Sequence, residues 1–167
     1  SGKQVVSKEE MVLKIKAAVD AREDEDLIII ARTDARAIHG LDDAISRAKA
    51  YAEAGADVTF VEAPRTKDEL QKIASELKGI PQMANMVEGG MTPLLSAQEL
   101  EEMGYKIMIC ANTALRAAVK NIREAMQRLY KDKSHENVHE IICTWEERQN
   151  LFELERVKEL EKKYLEL

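Results

Sequence analysis

The chain has 167 residues, 45% hydrophobic and 34% charged, a balance that suits one globular core and excludes a disordered tail. Its 25 basic against 31 acidic residues give a net charge of -6, and no basic stripe interleaved with aromatics stands ready to neutralise phosphates, so nucleic acid is not an expected partner. The apolar runs are too short to span a bilayer and no charged-then-apolar leader opens the chain, so no membrane partner and a cytoplasmic location are expected.

Ser7, followed by Lys8, Glu9 and Glu10, predicts the N-cap of a helix whose apolar positions Met11, Val12, Ile15, Ala18 and Val19 recur at helical spacing. The polar residues 22–26 give way to an unbroken apolar run at 27–31, which predicts a strand covered on both faces, as in parallel sheets. Arg32, Thr33 and Asp34 follow. A turn at Gly40, with Asp42 and Asp43 behind it, opens an alanine-rich helix that ends near Ala54 and Gly55.

The pattern then repeats. Residues 57–61 predict a strand, 62–67 a loop and 68–77 a helix ending at Gly79. Residues 80–84 predict a short strand weakened by Pro81, before a Gly-rich loop and a helix over 97–103 capped by Ser96. A fourth strand is predicted at 105–110 and a long amphipathic helix at 114–130. Beyond Lys131 the chain reads as helical and charged, with Trp145, Leu151, Phe152, Leu154, Val157 and Leu160 as its apolar positions. Cys110 and Cys143 form no Cys-x-x-Cys pair and are expected to be buried thiols.

Strands and helices alternating at a period of about 25 residues predict a parallel sheet, either open and doubly wound or closed as a barrel. The chemistry favours the barrel. Arg32, Glu62 and Asn85 follow successive strands and Asn112 lies in the last loop; in a (β/α)8 barrel of the TIM type such positions converge on one mouth. A full barrel needs ~250 residues. This chain holds about four β/α units in 1–130 and a helical extension in 131–167, so a complementary half-barrel or a second copy is expected to close it.

The segments Gly2-Lys3-Gln4-Val5-Val6-Ser7, Ala31-Arg32-Thr33-Asp34-Ala35-Arg36, Val61-Glu62-Ala63, Ala84-Asn85-Met86-Val87-Glu88-Gly89-Gly90-Met91-Thr92-Pro93 and Thr113-Ala114-Leu115-Arg116-Ala117 carry a resemblance. In order and spacing they are similar to the C-terminal part of the isocitrate lyase/phosphoenolpyruvate mutase superfamily, its methylisocitrate and dimethylmalate lyase branches above all. The resemblance implies a carbon–carbon lyase that cleaves a 2-hydroxy tri- or dicarboxylate with Mg²⁺, or Mn²⁺ in its place. It implies that Arg32 binds and polarises the oxo-acid end. Glu62 supports the metal's water shell or the proton transfers, and Asn85 hydrogen-bonds the substrate beside Thr92 and Pro93. Arg116 and Arg148 resemble arginines that receive distal carboxylates. No residue of this chain is expected to ligate the metal directly.

The resemblance also implies that the metal-holding aspartates and an acid cysteine precede Gly2, so the chain is expected to be a fragment, a cleaved product or an ordered remainder. Dimers of dimers are expected through the terminal helices. Phosphoenolpyruvate mutase, phosphonopyruvate or oxaloacetate chemistry of the same superfamily, and a non-catalytic half-barrel, are the alternatives. His135-Glu136-Asn137-Val138-His139 also matches His-Glu-x-x-His formally. It is expected in the exposed first turn of a helix, without the buried wall and third ligand that a zinc site requires.

Overall fold

In the computed structural model, which describes residues 2–165, Ser7 accepts a hydrogen bond from the Glu10 amide at 3.1 Å and so starts helix α1, Lys8–Asp20. The chain divides into two compact units, Ser1–Thr113 and Ala114–Leu167. In the first, strand β1 (Ile30–Thr33), helix α2 (Leu41–Glu53), strand β2 (Val58–Val61), helix α3 (Lys67–Glu76), strand β3 (Met83–Asn85), helix α4 (Ala97–Met103) and strand β4 (Ile107–Ile109) follow one another. Helices and strands thus alternate as their sequence patterns predict.

Both strand pairs are parallel: Arg32 lies level with Phe60 in β1 and β2, and Asn85 level with Ile109 in β3 and β4. A single parallel bridge, Thr59 to Gln82, joins β2 to β3, with the Thr59 amide donating to the Pro81 carbonyl at 3.0 Å. Gln82 is buried there because its Nε2 donates to Thr59 Oγ1 at 2.7 Å and to the Ile80 carbonyl at 3.0 Å.

Alternation along the strands sorts the side chains onto two faces. Val58, Phe60 and Met83 cluster on one, with Ile107 and Ile109 packed against them. Val61, Ala84 and Met86 point the other way, into the main core built with the helices, where Leu70, Ile73, Leu77 and Leu100 are almost wholly buried. Each such side chain contributes roughly 1.5–3 kcal/mol relative to leaving it in water. Gly55, at φ +106° after α2, lets the chain turn where α1 approaches: a Cβ there would meet Val19 Cγ2 at 2.9 Å.

Two local expectations are corrected here. The run 27–31 is not a strand covered on both faces: β1 begins only at Ile30, and Leu27 and Ile28 are each 59% exposed. The reason lies in the partner. A turn closes from Leu27 N to Asp24 O at 3.1 Å, and the Ile30–Val58 pair is the first at which β2 runs alongside. Cys110 and Cys143 are exposed rather than buried, because one falls just past the end of β4 and the other in the segment leading to a helix cap.

In the second unit, helix α5 (Thr113–Asp132) buries Ala125 while Leu115, Val119, Ile122 and Met126 are exposed along it. A capping box of Thr144 and Glu147 starts helix α6, Trp145–Leu151. Glu153 in a left-handed conformation then separates it from helix α7, Leu154–Tyr164. The His135 to His139 segment does not open a helix. It runs through turns into a short 3-10 turn at His139–Ile141, so its histidines are not presented one α-helical turn apart. Among the described residues, no helix is long and apolar enough to cross a membrane.

Candidate active site

Arg32 is positioned by β1 pairing. Level with Phe60 and on the same face, its Cζ lies 5.2 Å from the Phe60 ring centroid, a cation–π contact. Glu62 directly follows β2, its amide held by the Thr33 carbonyl at 3.0 Å. Asn85 closes β3. The Thr59–Gln82 bridge sets the last relation: three residues on along each parallel chain, Glu62 comes level with Asn85. Arg32, Glu62 and Asn85 therefore lie at the same ends of three consecutive strands, with Arg32 and Glu62 in ion-pair range.

Arg32 Nη2 stands 3.5 Å from Glu62 Oε2, within ion-pair range but without hydrogen-bond geometry. Arg32 is held instead by Asp34, which accepts from Nε at 2.8 Å and Nη2 at 3.1 Å, and Asp34 is paired in turn with Lys3. The Arg32 hydrogen bond, and after it the Lys3 pair, outweigh partial burial and hold the Asp34 carboxyl at about 2, well below the usual carboxylate range. The same bond raises the Arg32 guanidinium pKa.

Glu62 Oε2 and Asn85 Oδ1 are buried and accept no hydrogen bond. Buried acceptors left without a donor cost about 1–3 kcal/mol each. Two of them facing the same strand ends call for donors from outside: a substrate hydroxyl, an ordered water, or the water shell of a cation. Directly after Glu62 the chain enters the left-handed region at Ala63, φ +57°, a conformation that costs a residue with a Cβ roughly 1–2 kcal/mol.

Thr92, in the loop after β3, borders the same narrow space as Asn85, beside Phe60, Met83 and Tyr105. Pro93 is half-buried in that loop, which Leu95 ties back by donating its amide to Met86 Sδ at 3.4 Å. Burial pushes the Tyr105 hydroxyl pKa up, and that hydroxyl donates to the Leu70 carbonyl at 3.2 Å. Glu88 accepts from Thr113 Oγ1 at 3.2 and 3.3 Å, which links the loops after β3 and β4.

Arg116 and Arg148 belong to the second unit. Arg116 is exposed in the first turn of α5; Arg148 Cζ sits 5.2 Å from the Trp145 ring and 5.3 Å from the Phe152 ring. Among the described residues no three His, Cys, Asp or Glu side chains gather to hold a metal ion. Asp34 and Lys3 stand in the quoted segments but carry no assigned role there. Asp34 was within reach, because two residues on from Arg32 along a strand is the same face; Lys3, 31 residues away, carried no local signal.

Residues 1–130 match the phosphoenolpyruvate phosphomutase family. The chain is 44% identical over 163 residues to a 2,3-dimethylmalate lyase of Eubacterium barkeri, an alignment covering 98% of this chain and 56% of the relative. It is 43% identical to the petal death protein of Dianthus caryophyllus, covering 98% of this chain and 51% of that protein. A crystal structure of 2,3-dimethylmalate lyase, described as a PEP mutase/isocitrate lyase superfamily member, superposes with TM-score 0.88 at 35% identity over 97% of this chain and 57% of that one. Phosphonopyruvate hydrolase in complex with oxalate and Mg²⁺ superposes with TM-score 0.82 at 31% identity, over 99% and 59%. The chain spans about half the length of the curated relatives it matches.

Proposed function

The chain belongs to the phosphoenolpyruvate phosphomutase family, and from that premise we propose that it supplies the C-terminal part of a (β/α)8 barrel whose complete form is a Mg²⁺-dependent carbon–carbon lyase. Its substrate is a 2-hydroxy di- or tricarboxylate, cleaved to a 2-oxo acid and a second carboxylate. What supports this reading is the Arg32 guanidinium 3.5 Å from Glu62 Oε2, with two buried acceptors lacking donors, Glu62 Oε2 and Asn85 Oδ1, at the same ends of neighbouring strands.

In the reaction the substrate hydroxyl loses its proton and the oxygen's electrons form the carbonyl. The neighbouring carbon–carbon bond breaks, and its electron pair passes to the α-carbon of the departing carboxylate, which is then protonated. Arg32 holds the carboxylate of the oxo-acid end and draws charge toward it. Glu62 Oε2 accepts the released proton through water, or accepts from the water shell of the cation. Asn85 accepts the substrate hydroxyl at Oδ1, with Thr92 and Pro93 shaping the loop beside it. Mg²⁺ when bound supplies stabilisation of the negative charge that develops on oxygen. The orphaned Glu62 oxygen suits support of the cation through water.

Arg116 and Arg148 receive the substrate's distal carboxylate in this reading. A cytoplasmic location and assembly as a homotetramer, a dimer of dimers, go with it. The test joins this chain to the preceding half-barrel, adds Mg²⁺ and either 2,3-dimethylmalate or 2-methylisocitrate, and follows 2-oxo-acid release as a hydrazone. Release that Glu62→Gln abolishes supports the reading. Turnover of phosphonopyruvate or oxaloacetate instead would move the activity elsewhere in the family, and no turnover of any of these would leave a scaffold.

A further inference from the structure

Arg32 is a long side chain, 47% exposed, and a group with that much torsional freedom keeps no direction unless something ties it. Asp34 ties it. The carboxylate takes Nε and Nη2 together, a two-point pair that fixes the guanidinium plane as well as its place. Phe60 lies against the guanidinium, and Glu62 stands off at 3.5 Å from Nη2. The Nε–Nη2 edge is engaged by Asp34, and among the described residues Nη1 makes no hydrogen bond.

A carboxylate bound so closely also cancels the positive charge that would attract an anion. Lys3 offsets that loss, because it pairs with the Asp34 oxygen that already accepts Nη2: two cations share one anion. Lys3 is brought there by the segment around it. The buried Arg47 donates Nη1 to the Val6 carbonyl at 2.7 Å and Nε to Asp43 at 2.7 Å, while Val5 packs on the main core.

We propose that Asp34 and Lys3 are a positioning pair for Arg32: Asp34 sets the direction of the guanidinium, and Lys3 offsets the Asp34 charge, so that it does not cancel the attraction of the guanidinium for the carboxylate end of a 2-oxo acid. The inference rests on the reading of Arg32 as the carboxylate-binding residue, and its Asp34 half can be tested apart from that reading.

The test follows the Arg32 Nε–H signal in the ¹⁵N-labelled full chain, with oxalate as the probe anion. In the wild type this proton is expected to exchange slowly with water and its signal to shift with oxalate. Asp34→Asn is expected to speed its exchange about tenfold, whereas Lys3→Met leaves exchange slow and weakens oxalate about tenfold. Unchanged exchange in Asp34→Asn overturns the positioning role. Unchanged oxalate affinity in Lys3→Met, an exposed position that leaves the core intact, overturns the charge role. If oxalate moves no Arg32 signal even in the wild type, the carboxylate-binding reading and the Lys3 role fall together, and the exchange measurement still decides the role of Asp34.

Discussion

Glu62 Oε2 lies 3.5 Å from Arg32 Nη2 and yet accepts no hydrogen bond, so the two charges attract one another across the strand ends without being joined. The donor edge nearest Glu62 is turned to Asp34. Glu62 thus keeps a buried oxygen without a donor, and Arg32 keeps a guanidinium oriented by Asp34 rather than by Glu62.

Arg32→Lys tests that division of labour in the completed barrel. Lysine keeps the charge but has no planar fork, so it cannot pair with Asp34 at two points while presenting further donors. We expect kcat/KM to fall about a hundredfold. A variant with wild-type kinetics would show that a point charge suffices.

Acidification should reach Asp34 late. Its folded pKa is depressed to about 2, first by the Arg32 hydrogen bond and then by Lys3. The unfolded value is about 3.9, so the pairing favours the folded state fully above that pH and is lost as pH falls through about 2. A carboxyl-carbon NMR titration should place the Asp34 midpoint near 2. A midpoint at the ordinary aspartate value would mean that the network does not persist in solution.

The bond between Gln82 Nε2 and Thr59 Oγ1, at 2.7 Å and fully buried, seals the join between the two strand pairs. Thr59→Val leaves the Gln82 amide poorly satisfied and should cost about 1–3 kcal/mol in urea unfolding. Adding Gln82→Met removes the stranded partner and should recover much of that loss. Simple additivity of the two single changes would refute the coupling.

Ala63, buried at φ +57° directly after Glu62, should not tolerate a β-branched side chain. Ala63→Val is expected to destabilise by about 1–3 kcal/mol, while Ala63→Gly, free of the Cβ clash, should be neutral or mildly stabilising. Equal melting temperatures for the two variants would argue that the turn after β2 relaxes in solution.

Much of the framework is legible without coordinates. The α4 helix and its Ser96 cap stand where the Ser-x-x-Glu pattern puts them, with the capping box formed. The helices α2, α3 and α5 begin within a residue or so of their predicted starts, because caps and apolar periodicity are local signals. Strands were read less well: β1 and β3 both begin three residues later than their apolar runs. A strand exists where a partner backbone answers it, and a run such as 27–31 says nothing of where its neighbour starts.

The candidate site divides in the same way. Chemistry at the ends of apolar runs singled out Arg32, Glu62 and Asn85 from sequence alone, because a polar residue that closes a buried strand needs a reason to be there. Only the tertiary structure decided that β2 and β3 join at Thr59 and Gln82, and that Lys3 crosses 31 residues to meet Asp34. Local patterns record which face of an element is buried. Which charges meet depends on backbone hydrogen bonds between distant segments, and no single stretch of chain contains both partners of such a bond.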